Sequence, residues 1–209
     1  MMKEIEEVKQ CPQALLLFIK NPIKGKVKTR LAAELGEDSA LTIYNRLLEH
    51  TRSLATSLKG VDKYLFYSDF IDEKDDWPAS DFNKMLQPQV DDLGERMKVA
   101  FREVADIQSG KFVIIGSDCA QLSSRDIEAA FAALDEVDVV FGPAVDGGYY
   151  LCGMKDMVKD IFALKAWSTA TVLEESMALC REQGLQVKLL RKLSDIDFAE
   201  DWKKYGLDP

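Results

Sequence analysis

The sequence predicts an α/β protein, a mainly parallel sheet with helices on both faces. Three observations carry this reading. Short apolar runs take turns with longer stretches whose apolar residues recur near a 3.6 period, the pattern of strand-helix-strand units. The runs are continuous rather than alternating, as expected of strands buried on both faces. The chain of 209 residues is also long enough to bury about 70% of its unfolded surface around one core. A single domain over residues 1–209 is the expectation, since no repeat, low-complexity tract or linker divides the sequence.

Ala14 to Ile19 (ALLLFI) is the first such run, ending in Lys-Asn-Pro. Gly36 to Ser39 introduces a helix with Ala40, Ile43, Tyr44, Leu47, Leu48, Leu54, Ala55 and Leu58 on its apolar face, closed by Gly60. Tyr64 to Tyr67 reads as a second strand, and Asp69 to Pro88, rich in Asp, Lys and Pro, as a long surface loop. Leu93, Met97, Ala100, Phe101, Val104 and Ala105 mark the next helix. Phe112 to Ile115 is a strand ending in Gly116-Ser117-Asp118. Ser123 with Asp126 has the spacing of a capping box, opening a helix striped by Ile127, Ala130, Phe131 and Leu134. Val137 to Phe141 and Tyr149 to Met154 are strands, Thr169 to Gln183 a helix, Val187 to Leu190 the last strand and Phe198 to Tyr205 the last helix.

Composition narrows the function. Twenty-seven basic against 36 acidic residues give a net charge of −9, which argues against broad attraction to nucleic acid. The longest apolar runs, six residues, fall far short of the ~20 of a membrane span, and Lys3 to Gln10 is too polar for a leader. Cys11, Cys119, Cys152 and Cys180 are scattered without a C-x-x-C pair and read as reduced thiols of a cytoplasmic protein. The one histidine, His50, removes most His-based catalysis, including a Cys-His pair at Cys119.

In open α/β sheets ligands bind beyond the carboxyl ends of the strands. After the first strand, Lys20, Lys24, Lys26, Lys28 and Arg30 lie within eleven residues. With Gly25 allowing close approach of the backbone, they form either a phosphate cradle or a solvated basic loop. The stretch is not a P-loop, and no G-x-G-x-x-G occurs. Asp118 follows a buried strand, where a carboxylate either holds a divalent cation on a diphosphate or caps the next helix. Asp146-Gly147-Gly148 is either a hairpin turn or a substrate contact. Asp197 stands before the last helix, as a cap or as a ligand.

Four ordered motifs share one pattern: Phe18-Ile-Lys20-Asn-Pro22 through Gly25 to Lys28-Thr29-Arg30-Leu31, Gly116-Ser-Asp118-Cys119, Asp146-Gly-Gly-Tyr-Tyr-Leu151 and Asp195-Ile-Asp197. Asp92-Leu93-Gly94-Glu95-Arg96-Met97 and Trp167-Ser168-Thr169 add to it. So arranged, the chain from Ala14 to Asp201 resembles the bacterial DUF2064 family, provisionally assigned as nucleotide-diphospho-sugar transferases. Three positions depart from the family pattern: Lys26 for Arg, Ala120-Gln121 for Pro-Asp and Phe198-Ala199 for Thr-Pro.

The resemblance implies a GT-A-like, Rossmann-related sheet, shared with nucleotidyltransferases. It implies Mg²⁺ or Mn²⁺ on Asp118 and Asp197, and phosphate binding by Lys20, Gly25, Lys28 and Arg30. Asp146 would orient the acceptor or act as base, with Gly147 and Gly148 against the substrate. The expected reaction is transfer of a sugar from a nucleotide-sugar to a small-molecule acceptor. Nucleotidyl transfer from a nucleoside triphosphate, releasing pyrophosphate, is the alternative reading. Non-catalytic binding of a sugar nucleotide is the third.

Overall fold

A computed structural model describes residues 12–162, 167 and 169–207; Cys11 and Ser168, which figure in the sequence reading, lie outside them. The first apolar run is strand β1 (Gln13–Ile19), followed by helices α1 (Thr29–Leu35) and α2 (Glu37–Ser57). Strands β2 (Asp62–Tyr67) and β3 (Asn83–Leu86) precede helix α3 (Leu93–Ile107). Then come β4 (Lys111–Ile115), α4 (Ser124–Ala133), β5 (Val139–Pro143) and β6 (Tyr149–Met154). Helix α5 (Val172–Glu182), strand β7 (Val187–Leu189) and helix α6 (Ala199–Tyr205) complete the described elements.

The seven strands form one sheet in the order β3-β2-β1-β4-β6-β5-β7. All neighbours pair parallel except β6, which runs antiparallel between β4 and β5. Period-two side-chain alternation makes the two-sided burial explicit. Leu15 and Leu17 of β1 join Tyr44 of α2 and Ile127 and Phe131 of α4 on one face. Ala14 and Leu16 join Met97, Ala100, Phe101 and Val104 of α3 on the other. Helices therefore cover both faces, as the sequence predicts.

Two elements differ from the sequence reading. Helix α1 begins at the end of the stretch read as a basic loop and runs past it to Leu35. It spans only seven residues, buries only Leu31, and begins at Lys28 with φ +46° and no side-chain cap, so it carries neither stripe nor start signal. Strand β3 lies inside the stretch read as a surface loop, as a four-residue edge strand with no fully buried residue. The rest of that stretch is mostly exposed, as a surface loop should be, but it is pinned by a few buried side chains. Trp77 and Phe82 meet edge-on at 4.9 Å between centroids and are buried in the core. Lys84 Nζ is held by Asp75 Oδ1 and the Asp72 carbonyl, both at 2.7 Å.

Strand order reverses between the parallel neighbours β1 and β4, because β1 leads outward to β2 while β4 leads toward β5 and β6. The crevice beyond the carboxyl ends of those two strands is the topological switch point. Cys119, Cys152 and Cys180 are buried free thiols. Among the described residues no helix is long and apolar enough to cross a membrane.

Candidate active site

A cavity of about 830 Å³ opens at the switch point, a volume that fits a nucleotide-sized ligand. Its frame is polar and built from buried side chains. The Tyr44 hydroxyl, on α2, accepts from the Lys20 backbone N–H at 2.8 Å and lies 3.2 Å from Ser117 Oγ, tying the loop after β1 to the loop after β4. Burial, and secondarily the Asp118 charge, push that phenol well above its ordinary pKa, so it stays protonated. Gln87, after β3, donates to the Ile19 and Phe66 carbonyls at 2.9 and 3.1 Å. These two side chains position the strand ends, and sequence reading found neither role. Tyr44 passes for one more residue of a core stripe, and Gln87 sits in a stretch read as loop.

One end of the cavity holds charge from three chain segments. The Lys28 ammonium, on a side chain only 5% exposed, is 2.6 Å from Asp118 Oδ1 and 3.5 Å from Asp197 Oδ1. Arg30 Nη1 donates to Asp197 Oδ2 at 2.8 Å. The Ile196 N–H donates to the Asp118 carbonyl at 2.9 Å, which brings the Asp195-Ile-Asp197 segment beside the β4 end. Burial pulls the Lys28 pKa down, but Asp118, Asp197 and Asp195 outweigh it, and the net shift is upward. Asp195, also on the cavity wall, is pushed up to about 7, by burial first and then by Asp118, with Asp146 and Asp197 adding to it.

Lys20, Lys28, Arg30, Asp118 and Asp197 thus line one cavity. Lys24 and Lys26 turn away, to Asp38 at 2.6 Å and Asp69 at 4.0 Å. Gly25, at φ +78°, faces the Glu37 carboxylate and is not part of the wall. Asp146 is exposed and also outside the wall; its Oδ1 accepts from the Gly148 N–H at 2.9 Å, the bond of its own turn. Gly147, at φ +94°, lies so close to the Ala170 backbone that a Cβ would collide with it, and Gly148 follows it in the same turn. The structure therefore does not bring Gly25, Asp146, Gly147 or Gly148 into the cavity.

The capping alternatives are resolved by neighbouring residues. Ser123 donates through N–H and hydroxyl to Asp126 Oδ2 at the start of α4, so Asp118 is not its cap. Asp201 Oδ2 accepts from the Asp197 and Phe198 N–H groups at 3.1 and 2.8 Å before α6, so the Asp197 carboxylate is free to face Lys28 and Arg30. Cys119 is no nucleophile, because burial pushes its thiol up to about 12. His50 Nε2 is 2.8 Å from the Leu122 carbonyl, a packing contact outside the wall. Among the described residues no three His, Cys, Asp or Glu side chains form a ready metal site.

Residues 51–169 match the family described as "Uncharacterized protein conserved in bacteria (DUF2064)". A nucleotide-diphospho-sugar transferase, so assigned provisionally, from Desulfovibrio desulfuricans G20 is 29% identical. The match covers 90% of this chain and 84% of that one at a TM-score of 0.82. Two similar structures show the fold alone. The inositol-1-phosphate CTP transferase from T. maritima is 15% identical over 94% of this chain and 95% of that one, with a TM-score of 0.58. The 4-diphosphocytidyl-2C-methyl-D-erythritol synthase from Anaerococcus prevotii DSM 20548 is 12% identical over 93% and 95%, with a TM-score of 0.59. No curated protein matches the chain in sequence.

Proposed function

The chain belongs to the DUF2064 family, and on that footing we propose that it is a transferase that takes a sugar from a nucleotide-diphospho-sugar and passes it to a small-molecule acceptor. The observation that carries the reading is the meeting of Lys28, Arg30, Asp118 and Asp197 at the switch-point cavity, with Lys20 on the same wall. The likeness to the Desulfovibrio protein gives it the nucleotide-sugar chemistry.

The donor set suits a hard divalent cation such as Mg²⁺ or Mn²⁺. Asp118 and Asp197 offer carboxylate oxygens, and their side chains, 50% and 37% exposed, have room for water and phosphate oxygens beside them. The position between them already holds a positive charge, the Lys28 ammonium. When bound, such an ion would neutralise the diphosphate as it leaves.

The chain's own groups do the rest by position and charge. Lys28 is displaced from the two carboxylates and donates to a phosphate oxygen, as Arg30 and Lys20 do from the same wall. Tyr44 and Ser117 hold the two strand ends in register, so the cations and carboxylates keep their spacing. Asp146 stands outside the wall, and no step is assigned to it.

The fold alone also accommodates nucleotidyl transfer, the chemistry named for the two cytidylyl-type neighbours. Product analysis separates the two. The protein is incubated with Mn²⁺, candidate acceptors, and panels of sugar nucleotides and nucleoside triphosphates, and the released species is identified by mass. Nucleoside diphosphate from a sugar nucleotide supports the proposal. Pyrophosphate from a triphosphate replaces it with nucleotidyl transfer, and turnover of neither panel removes both.

A further inference from the structure

The far end of the cavity, against α3, is left unused by that chemistry, and it is built from two of the sequence motifs that the charged end does not explain. Gly94 and Arg96 come from one, Trp167 from the other. The Trp167 ring lies so close over Gly94 that any side chain there would collide with it, and its edge meets Tyr149 at 6.3 Å between centroids. Arg96 and Trp167 both face the cavity, with Phe18, Leu93 and Met97 as its apolar floor.

Both residues carry buried donors that no described residue receives. Among the described residues, Arg96 Nε and Trp167 Nε1 have no hydrogen-bond partner. The guanidinium makes one bond, from Nη1 to Gln87 Oε1 at 3.2 Å, and Gln87 is itself fixed by the Ile19 and Phe66 carbonyls. Arg96 has no carboxylate partner among the described residues, in a chain whose net charge is −9. Its neighbours Asp91 and Asp92 are exposed at the rim, and Asp92 accepts from the Glu95 N–H at 2.8 Å as the cap of α3.

A guanidinium N–H and an indole N–H can only donate. Buried donors left unmade are costly, so both favour an acceptor group entering the cavity beside them. A positive charge beside them, with an amide and not an acid as its protein partner, selects an oxyanion over a neutral carbonyl. The carboxylates at the rim disfavour extended polyanions, which leaves a compact group reaching the floor. We infer that the α3 end of the cavity receives a carboxylate or phosphate group of the acceptor, with Arg96 and Trp167 as its binding residues and Gln87 positioning Arg96. The inference rests on the transferase reading for the word acceptor, but not for the anion.

The test measures binding of glycerol 3-phosphate, glycerate and neutral glycerol by titration calorimetry, with nucleoside diphosphates plus Mn²⁺ as a separate arm. Glycerol 3-phosphate or glycerate is expected to bind where glycerol does not, and the stronger of the two names the group. Arg96→Gln is expected to weaken that anion about tenfold or more, the scale of one charge-assisted hydrogen bond. Arg96→Lys should restore part of the loss, Trp167→Phe should also weaken the anion, and Lys24→Met, whose ammonium pairs with Asp38 away from the cavity, should leave it within about twofold. Nucleoside diphosphate binding should instead depend more on Lys28 than on Arg96. The inference is overturned if neither anion binds, if Arg96→Gln and Arg96→Lys both bind as the wild type does, or if Lys24→Met costs as much as Arg96→Gln. Should anion binding need Arg96 while no nucleotide binds to any variant, the transferase reading falls and the anion site stands.

Discussion

Replacing Lys28 by Met removes one charge and little else. Met keeps the length of the stem, and the positive φ of +46° is as costly for one as for the other. What is lost is the ammonium 2.6 Å from Asp118 and 3.5 Å from Asp197, on a side chain only 5% exposed. Removing one partner of a buried ion pair costs about 3–5 kcal/mol. Here the carboxylates are 50% and 37% exposed, so water takes over part of the lost interaction and the expected cost falls to about 2 kcal/mol. For a domain of this size that lowers Tm by roughly 4–8 °C. The freed carboxylates should then bind Mn²⁺ more tightly than in the wild type. At 100 times its Kd, an ion that binds only the folded state adds about 2.7 kcal/mol, enough to offset the loss. Thermal melts of both proteins in chelator and in MnCl₂ check this, with a larger Mn²⁺ shift expected in the variant. Equal melting temperatures in chelator, or an equal Mn²⁺ shift in the two proteins, would refute the reasoning.

Asp195 should give stability a pH dependence. Its pKa is about 7 in the folded protein against an ordinary 3.8, so between about pH 4 and 7 the folded state binds more protons than the unfolded. Stability therefore falls as pH rises through that window, by at most about 4 kcal/mol. Urea denaturation of Asp195→Asn should show a flatter profile and greater stability than the wild type at pH 8; parallel profiles would contradict this. Asp146→Asn keeps an acceptor for the Gly148 N–H and should leave fold and turnover within a few-fold, whereas a loss of about 10²-fold would place its carboxylate in the chemistry. Asp126→Ala removes the bidentate partner of Arg191, at 2.7 and 2.8 Å, together with the α4 capping contact. It should cost about 1–2 kcal/mol in urea while nucleotide affinity is unchanged, and weaker nucleotide binding would tie that pair to the site.

The parts of this molecule that bury a periodic face were legible in its sequence. ALLLFI, the stripe on α2 and the Ser123-Asp126 cap each state a local physical preference, and each is found. The charged end of the cavity was legible for a related reason: Lys20, Lys28, Arg30 and Asp118 follow buried strands that end at the switch point, and Asp197, just before the last helix, joins them there. What escaped depends on contacts distant in the chain. Helix α1 is held by burying Leu31, not by its own pattern, and β3 is defined by pairing with β2. Arg96 looks like one more charge on an amphipathic helix until Gln87 and Trp167 are folded against it. Asp146 illustrates the converse. Its turn chemistry was visible, and the structure gives the carboxylate that use.

Anomalous diffraction from crystals soaked with Mn²⁺ and a nucleoside diphosphate tests most directly whether the switch-point cavity is a metal-assisted diphosphate site. The predicted result is one Mn²⁺ peak between Asp118 and Asp197, with the diphosphate beside it and Lys28 Nζ moved from the carboxylates onto a phosphate oxygen. Phosphates bound elsewhere on the molecule, or no Mn²⁺ between those two carboxylates, would contradict it.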